Sequence, residues 1–95
     1  MSTTVNFYKF NLLSIEAWRT DGYWTWNQWF LLERDIIFLD GALTTRRILN
    51  SLRKWDYLSE YSKGRVSVEY DGYNYVVKDR STDEPLFALE PQEIN

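Results

Sequence analysis

The chain contains no cysteine and no histidine. Without cysteine it forms neither disulfides nor thiolate metal sites. Without histidine it lacks the usual general base near neutral pH and the commonest protein metal ligand. Glycine is scarce, at four residues, and none of them belongs to a phosphate-cradling loop or a nucleotide fingerprint. No cofactor is implied. No apolar run approaches the ~20 residues that span a bilayer. Met1 to Phe10 has no basic start and no apolar stretch, so no signal peptide is expected. Asn-x-Ser/Thr acceptors are missing as well. These absences together lead us to expect a cytoplasmic protein.

What is present is a folding composition. Of the 95 residues, 44% are hydrophobic and 18% aromatic, well above the profile of a disordered segment. The length allows one domain, residues 1–95, with a single core. Such a chain buries roughly 60–65% of the surface its unfolded form exposes, which leaves little room for a deep, closed active site. Charge is unevenly placed. Residues 1–43 carry net −2, residues 44–65 net +4 and residues 66–95 net −5, giving −3 in total. One basic element is set in an acidic protein.

Val5 to Leu13 is rich in β-branched and aromatic residues and reads as a strand continuing toward Trp18. Asp21-Gly22 supplies the positive φ angles of a tight hairpin turn, and a second strand follows from Tyr23 to about Leu32. Glu33-Arg34-Asp35 reads as a polar break, and Ile36 to Leu39 as a short third strand. Thr44 or Thr45 caps a helix running to about Tyr57, whose apolar face is Ile48, Leu49, Leu52 and Trp55. Asp71-Gly72 marks a second tight hairpin between Val66–Tyr70 and Tyr73–Lys78, and Leu86–Leu89 forms a last strand. The expected fold is α+β: an antiparallel sheet of about five strands with the single helix packed on it.

The stretch "DGYWTWNQWFLLERD" concentrates the aromatics. A two-residue Asp21-Gly22 turn pairs Trp18 with Thr25 and Ser14 with Trp29. Leu13, Ile15, Ala17, Trp24, Trp26 and Phe30 then share one face, expected to be core. Ser14, Glu16, Trp18, Tyr23, Thr25, Asn27, Trp29 and Leu31 share the other. Two readings of Trp18 and Trp29 stand: another part of the chain covers them, or they form an exposed aromatic patch for a partner. A bulge or a one-residue slip would exchange the two faces. In the second hairpin, Val66, Val68, Tyr70, Tyr73, Tyr75 and Val77 share the expected core face.

Three functional classes compete. Catalysis needs a positioned acid, base or nucleophile, and the acidic clusters here sit in turns. Glu33 with Asp35 is the nearest approach to a carboxylate pair, and we do not expect an enzyme or a metal site. Nucleic-acid binding would use Arg46, Arg47, Arg53 and Lys54. Indeed "TRRILNSLRKWDYLS" followed by "RVSVEYDGYNYVV" resembles the recognition helix and wing of a winged-helix domain. A complete module of that kind needs further helices upstream, where this chain reads as strands. The third class, a module that binds a protein partner, is the one expected. Trp18, Tyr23 and Trp29 would be its apolar anchors and Asp79, Asp83 and Glu84 its acidic rim. By size, acidity and missing catalytic groups the chain resembles phage-encoded inhibitors of host defence such as anti-CRISPR proteins, which act by occluding a partner's surface. A symmetric homodimer burying the aromatic face would satisfy the same side chains.

Overall fold

A computed structural model describes residues 7–39, 44–58, 60–61 and 64–92. Two long strands, β1 (Phe7–Thr20) and β2 (Tyr23–Leu39), form the first hairpin. A helix, α1 (Thr45–Lys54), follows, and then β3 (Val66–Tyr70), β4 (Tyr75–Asp79) and β5 (Pro85–Pro91). The five strands make one antiparallel sheet in the order β2-β1-β5-β4-β3. The final strand is therefore inserted between the two hairpins, and α1 links the two outer strands across one face. The expected α+β architecture is what the chain adopts.

The first hairpin turns at Asp21 (φ 52) and Gly22 (φ 83), and Thr20 faces Tyr23 as the two-residue turn requires. Farther along, β2 absorbs extra residues. The register shifts three times relative to β1. Asp35 takes a positive φ of 57° at the first shift, where its backbone N–H donates to Asn11 Oδ1 at 3.1 Å. Leu32 and Trp29 are the residues left over at the second and third. Glu33-Arg34-Asp35 is thus a bulge inside one continuous strand, and Ile36–Leu39 is the far end of β2 rather than a separate strand.

The helix opens as expected. Thr44 is the N-cap, and its Oγ1 accepts from the Arg47 N–H at 3.2 Å. It closes earlier than its apolar pattern implies. Asp56 adopts φ 64°, its N–H donates to the Arg53 carbonyl, and the Tyr57 N–H donates to the Leu52 carbonyl, both at 3.0 Å. This left-handed cap reverses the chain three residues before the expected end. Ile48 and Leu52 are buried as predicted, whereas Trp55 remains 37% exposed and Leu58 completes the apolar face instead.

The main core lies between α1 and the sheet: Phe10, Leu12, Ile36, Phe38, Ile48, Leu52, Leu58, Val66, Val77 and Leu89. Phe10 meets Phe38 and Tyr75 edge-on at 6.0 and 5.7 Å. On the opposite face Leu13, Ala88 and Val76 are aligned across three strands and are also buried. The second hairpin differs from expectation. Tyr70 pairs with Tyr75, not Tyr73, because Asp71 Oδ1 accepts the N–H groups of both Tyr73 and Asn74, at 2.9 and 2.7 Å. Asp71 to Asn74 therefore form a longer loop, and Tyr73 leaves the core face for solvent.

Candidate functional site

Side chains alternate across a strand, so the core face of β1 can be followed outward. Phe10 and Leu12 lie under the helix, Ser14 is the last buried residue on that face, and Glu16, Trp18 and Thr20 continue it into solvent. The pairing of β1 with β5 ends at Ser14–Phe87. Beyond that point no strand among the described residues flanks β1 on this side, and the hairpin projects as a two-stranded ribbon. The protein is accordingly elongated, 55 × 27 × 20 Å.

The bulge at Trp29 decides which aromatics appear on the ribbon. Ser14 pairs with Phe30 and Ile15 with Gln28, leaving Trp29 unpaired between them. Phe30 therefore joins the face of Ser14 and Trp18, opposite to its expected place in the core. It is 53% exposed, and its ring meets Trp29, itself 64% exposed, edge-on at 5.5 Å. Trp18 is 41% and Tyr23 77% exposed on the same face. At roughly 3.3 Å per residue, Phe30, Trp18 and Tyr23 span about 20 Å of ribbon, with Glu16, Thr25 and Asn27 between them. Together with Trp29 they expose aromatic surface on the order of 500 Å² in total, with Trp29 and Phe30 in mutual contact and the polar residues separating them from Trp18 and Tyr23.

Trp24 and Trp26, expected in the core, occupy the face turned away from α1, lie outside the main core cluster and are only half-buried. The Trp24 indole Nε1 donates to the Thr82 carbonyl at 3.0 Å, and the Arg19 guanidinium sits 5.4 Å from its ring centre. Trp26 shares a cavity of about 90 Å³ with Glu69, Asp71, Val76 and Lys78. Gln28 Nε2 donates to Glu90 at 3.0 Å. These contacts tie the ribbon to β5, to the β4–β5 turn and to the second face of the sheet. One face is fastened to the body while the other stays open.

The expected acidic rim divides. Asp83 and Glu84 lie on the β4–β5 turn that Trp24 grips through Thr82, with Asp83 exposed and 3.8 Å from Lys78. Asp79 is buried, and its carboxylate accepts from Arg65 Nε (2.9 Å) and Nη2 (3.3 Å) and from the N–H and hydroxyl of Ser81 (2.9 and 2.8 Å). Those donors, Arg65 first and Ser81 next, hold the Asp79 carboxyl well below the usual carboxylate range. Its work is to close the turn, so it offers no free charge to a partner.

The basic helix divides as well. Arg46, Asn50 and Arg53 fall on one stripe and line an open groove with Thr45, Leu49, Gly64, Val66 and Arg80. Arg47 lies on the other side, in a groove of about 480 Å³ shared with Glu33, Arg34, Asp35, Ile37 and Trp55. Lys54 is exposed and lines neither. Glu33 and Asp35 have separate partners: Glu33 accepts from the Tyr57 hydroxyl at 2.8 Å, and Asp35 pairs with Lys9 at 3.3 Å. Among the described residues no group of three or more acidic side chains is placed to share a metal ion.

Phe30 on the aromatic face and Arg80 in the groove beside α1 are the placements that the sequence did not lead us to expect. A signal for the first was present: Trp29-Phe30-Leu31-Leu32 breaks the alternation that Trp24 to Asn27 obey, and a broken period is where bulges occur. Comparison with family models, curated proteins and solved structures finds no match to this chain.

Proposed function

We propose that this protein is a non-catalytic module that binds a protein partner through the open face of its first hairpin, occluding the partner's surface. The observation that carries the reading is the Trp29–Phe30 pair, two large aromatic rings packed on each other and both more than half exposed. Single exposed aromatics are ordinary. A bulge that turns two adjacent ones outward, on a ribbon whose other face is fastened down, forms a rigid apolar anchor, and rigidity lowers the entropic cost of binding.

The partner's chemistry follows from the surroundings. Glu16, Asp21 and Asp83 are exposed on or beside the ribbon, and the chain carries net −3. The surface that fits is an apolar pocket with a basic border, as on proteins that handle nucleic acids. Aromatic anchors would give affinity and the acidic border would give steering. Inhibition of a host defence protein by occlusion is a role of this type.

The test is a paired pull-down from nuclease-treated host lysate, using the tagged wild type and a Trp18→Ala/Trp29→Ala variant. A stoichiometric protein retained by the wild type and lost by the variant, with unchanged circular dichroism, supports the reading. Equal retention by both sinks it. Sedimentation velocity on the wild type alone separates out the symmetric dimer, which would show a doubled mass that the variant lacks.

A further inference from the structure

The groove beside α1 has a composition unlike the rest of this acidic chain. Three guanidinium groups line it, Arg46 and Arg53 from the helix and Arg80 from the β4–β5 turn, and among the described residues no carboxylate does. We infer that this groove binds a compact phosphate-bearing ligand, of the size and charge of a polyphosphate or a nucleoside polyphosphate, through Arg46, Arg53 and Arg80.

Each arginine is placed by a different constraint. Arg46 and Arg53 are seven residues apart, two helical turns, and so project from one stripe with Asn50 between them. The Arg53 Nη1 donates to the Tyr61 carbonyl at 3.5 Å, which orients the guanidinium and leaves its other donors available. The backbone N–H of Arg80 donates to the Arg65 carbonyl at 2.7 Å, which sets that turn against the start of β3. Among the described residues neither Arg46 nor Arg80 pairs with a carboxylate. The acidic side chain nearest in sequence to Arg80, Asp79, is taken by Arg65. Asn50 and Thr45 add neutral polar groups, and Leu49 and Val66 supply apolar floor.

The class of ligand follows from the chemistry. Guanidinium forks match the geometry of phosphate oxygens, and three cationic groups lining one groove favour a ligand with more than one negative charge. A volume of about 770 Å³ is in the range of small-molecule sites. An extended nucleic acid would need the other basic groups of the helix too. Arg47, however, faces Glu33 and Asp35 across the opposite groove, and Lys54 lines neither groove.

The experiment titrates the full chain at low salt with sodium tripolyphosphate, with ATP and with a labelled single-stranded oligonucleotide. The readouts are NMR shifts of the arginine Nε–Hε signals and fluorescence anisotropy. Tripolyphosphate is expected to shift Arg46, Arg53 and Arg80. Arg46→Ala and Arg80→Ala are each expected to weaken its binding at least about tenfold, and Arg47→Ala and Lys54→Ala less than about twofold. Arg46 and Arg80 are exposed and hold no side-chain hydrogen bond among the described residues, so both variants should keep the wild-type circular dichroism. Tighter binding of ATP than of tripolyphosphate assigns a nucleotide, and equal binding assigns the polyphosphate alone; both support the inference. Absence of shifts at millimolar ligand, an equal loss in Arg47→Ala, or oligonucleotide binding that depends on Arg47 and Lys54 overturns it.

Discussion

Leu52 ties the helix to the sheet, and replacing it with alanine tests that docking quantitatively. Leu52 is 1% exposed and belongs to the core cluster with Ile48, Leu58, Val66 and Val77. The substitution removes three carbons, worth about 0.8 kcal/mol each in lost burial, or roughly 2.4 kcal/mol. Incomplete collapse around the cavity raises the total, and Leu→Ala in cores costs about 2–5 kcal/mol; roughly 3 kcal/mol is expected here. A domain of this size has on the order of 5–14 kcal/mol of stability, so the variant folds but is substantially weakened. With a urea m-value of about 1–1.5 kcal/mol/M, the midpoint falls by roughly 2–3 M. Far-ultraviolet circular dichroism and tryptophan fluorescence report the helix and the sheet separately, and both transitions should move together. Asn50→Ala, on the exposed side of the same helix, should stay within about 0.5 kcal/mol of wild type. A Leu52→Ala midpoint shift below about 0.5 M, or one no larger than that of Asn50→Ala, would refute the docking of α1 on the sheet.

Other consequences can be measured with the same assay. The Asp79 carboxyl is held below its unfolded value near ~3.9, so its stabilisation is present above about pH 4 and is lost as pH falls further. Melting temperatures of the wild type should drop steeply below pH 4, while Asp79→Asn should start lower at neutral pH and show a flatter acid limb. The Tyr57 hydroxyl is raised by burial first and by Glu33 second. Its stabilisation is complete below about pH 10 and lost above, and Tyr57→Phe should remove that part of the alkaline fall. Gly22 has φ 83°, so Gly22→Ala should destabilise the first hairpin by about 1 kcal/mol although nothing lies near the added methyl group.

The parts of this fold that were legible in the chain are those where one residue type meets one backbone requirement. Asp21-Gly22 supplied both positive φ angles of a two-residue turn, Thr44 supplied a cap, and Ile48 with Leu52 supplied the buried stripe. The misreadings came where a side chain competed for the backbone. Asp71-Gly72 carries the same dipeptide as the first turn, yet the Asp71 carboxylate takes two N–H groups and opens a longer loop. Asp56 supplies the left-handed helix cap that glycine usually provides, so the early end was hidden and Trp55 was expected in the core. Asp79 looked like a solvated turn charge, and its pairing with Arg65, 14 residues earlier, is a tertiary contact that no local pattern shows.

The candidate site was half legible for a related reason. The exposure of Trp18 and Tyr23 on one face followed from the two-residue turn and simple alternation, whereas Trp29 is exposed as the bulged residue and not as the expected partner of Ser14. The place of Phe30 did not follow either, because the bulge at Trp29 moves it to the opposite face, and bulges are not encoded by a residue type. Likewise the basic residues of the helix were visible as a group. Their separation into an Arg46–Arg53 side and an Arg47 side, and the arrival of Arg80 from a distant turn, depend on how the helix lies on the sheet.

The proposed contact surface is the open face of the first hairpin. The direct measurement is the affinity of the captured partner, by isothermal titration calorimetry, for the wild type, Trp29→Ala and Trp18→Ala/Trp29→Ala, with each variant's urea midpoint determined in parallel. Trp29→Ala alone is expected to lose about 2 kcal/mol or more of binding, roughly thirtyfold, and the double variant more, while both remain fully folded. Unchanged affinity in the folded double variant would contradict this assignment.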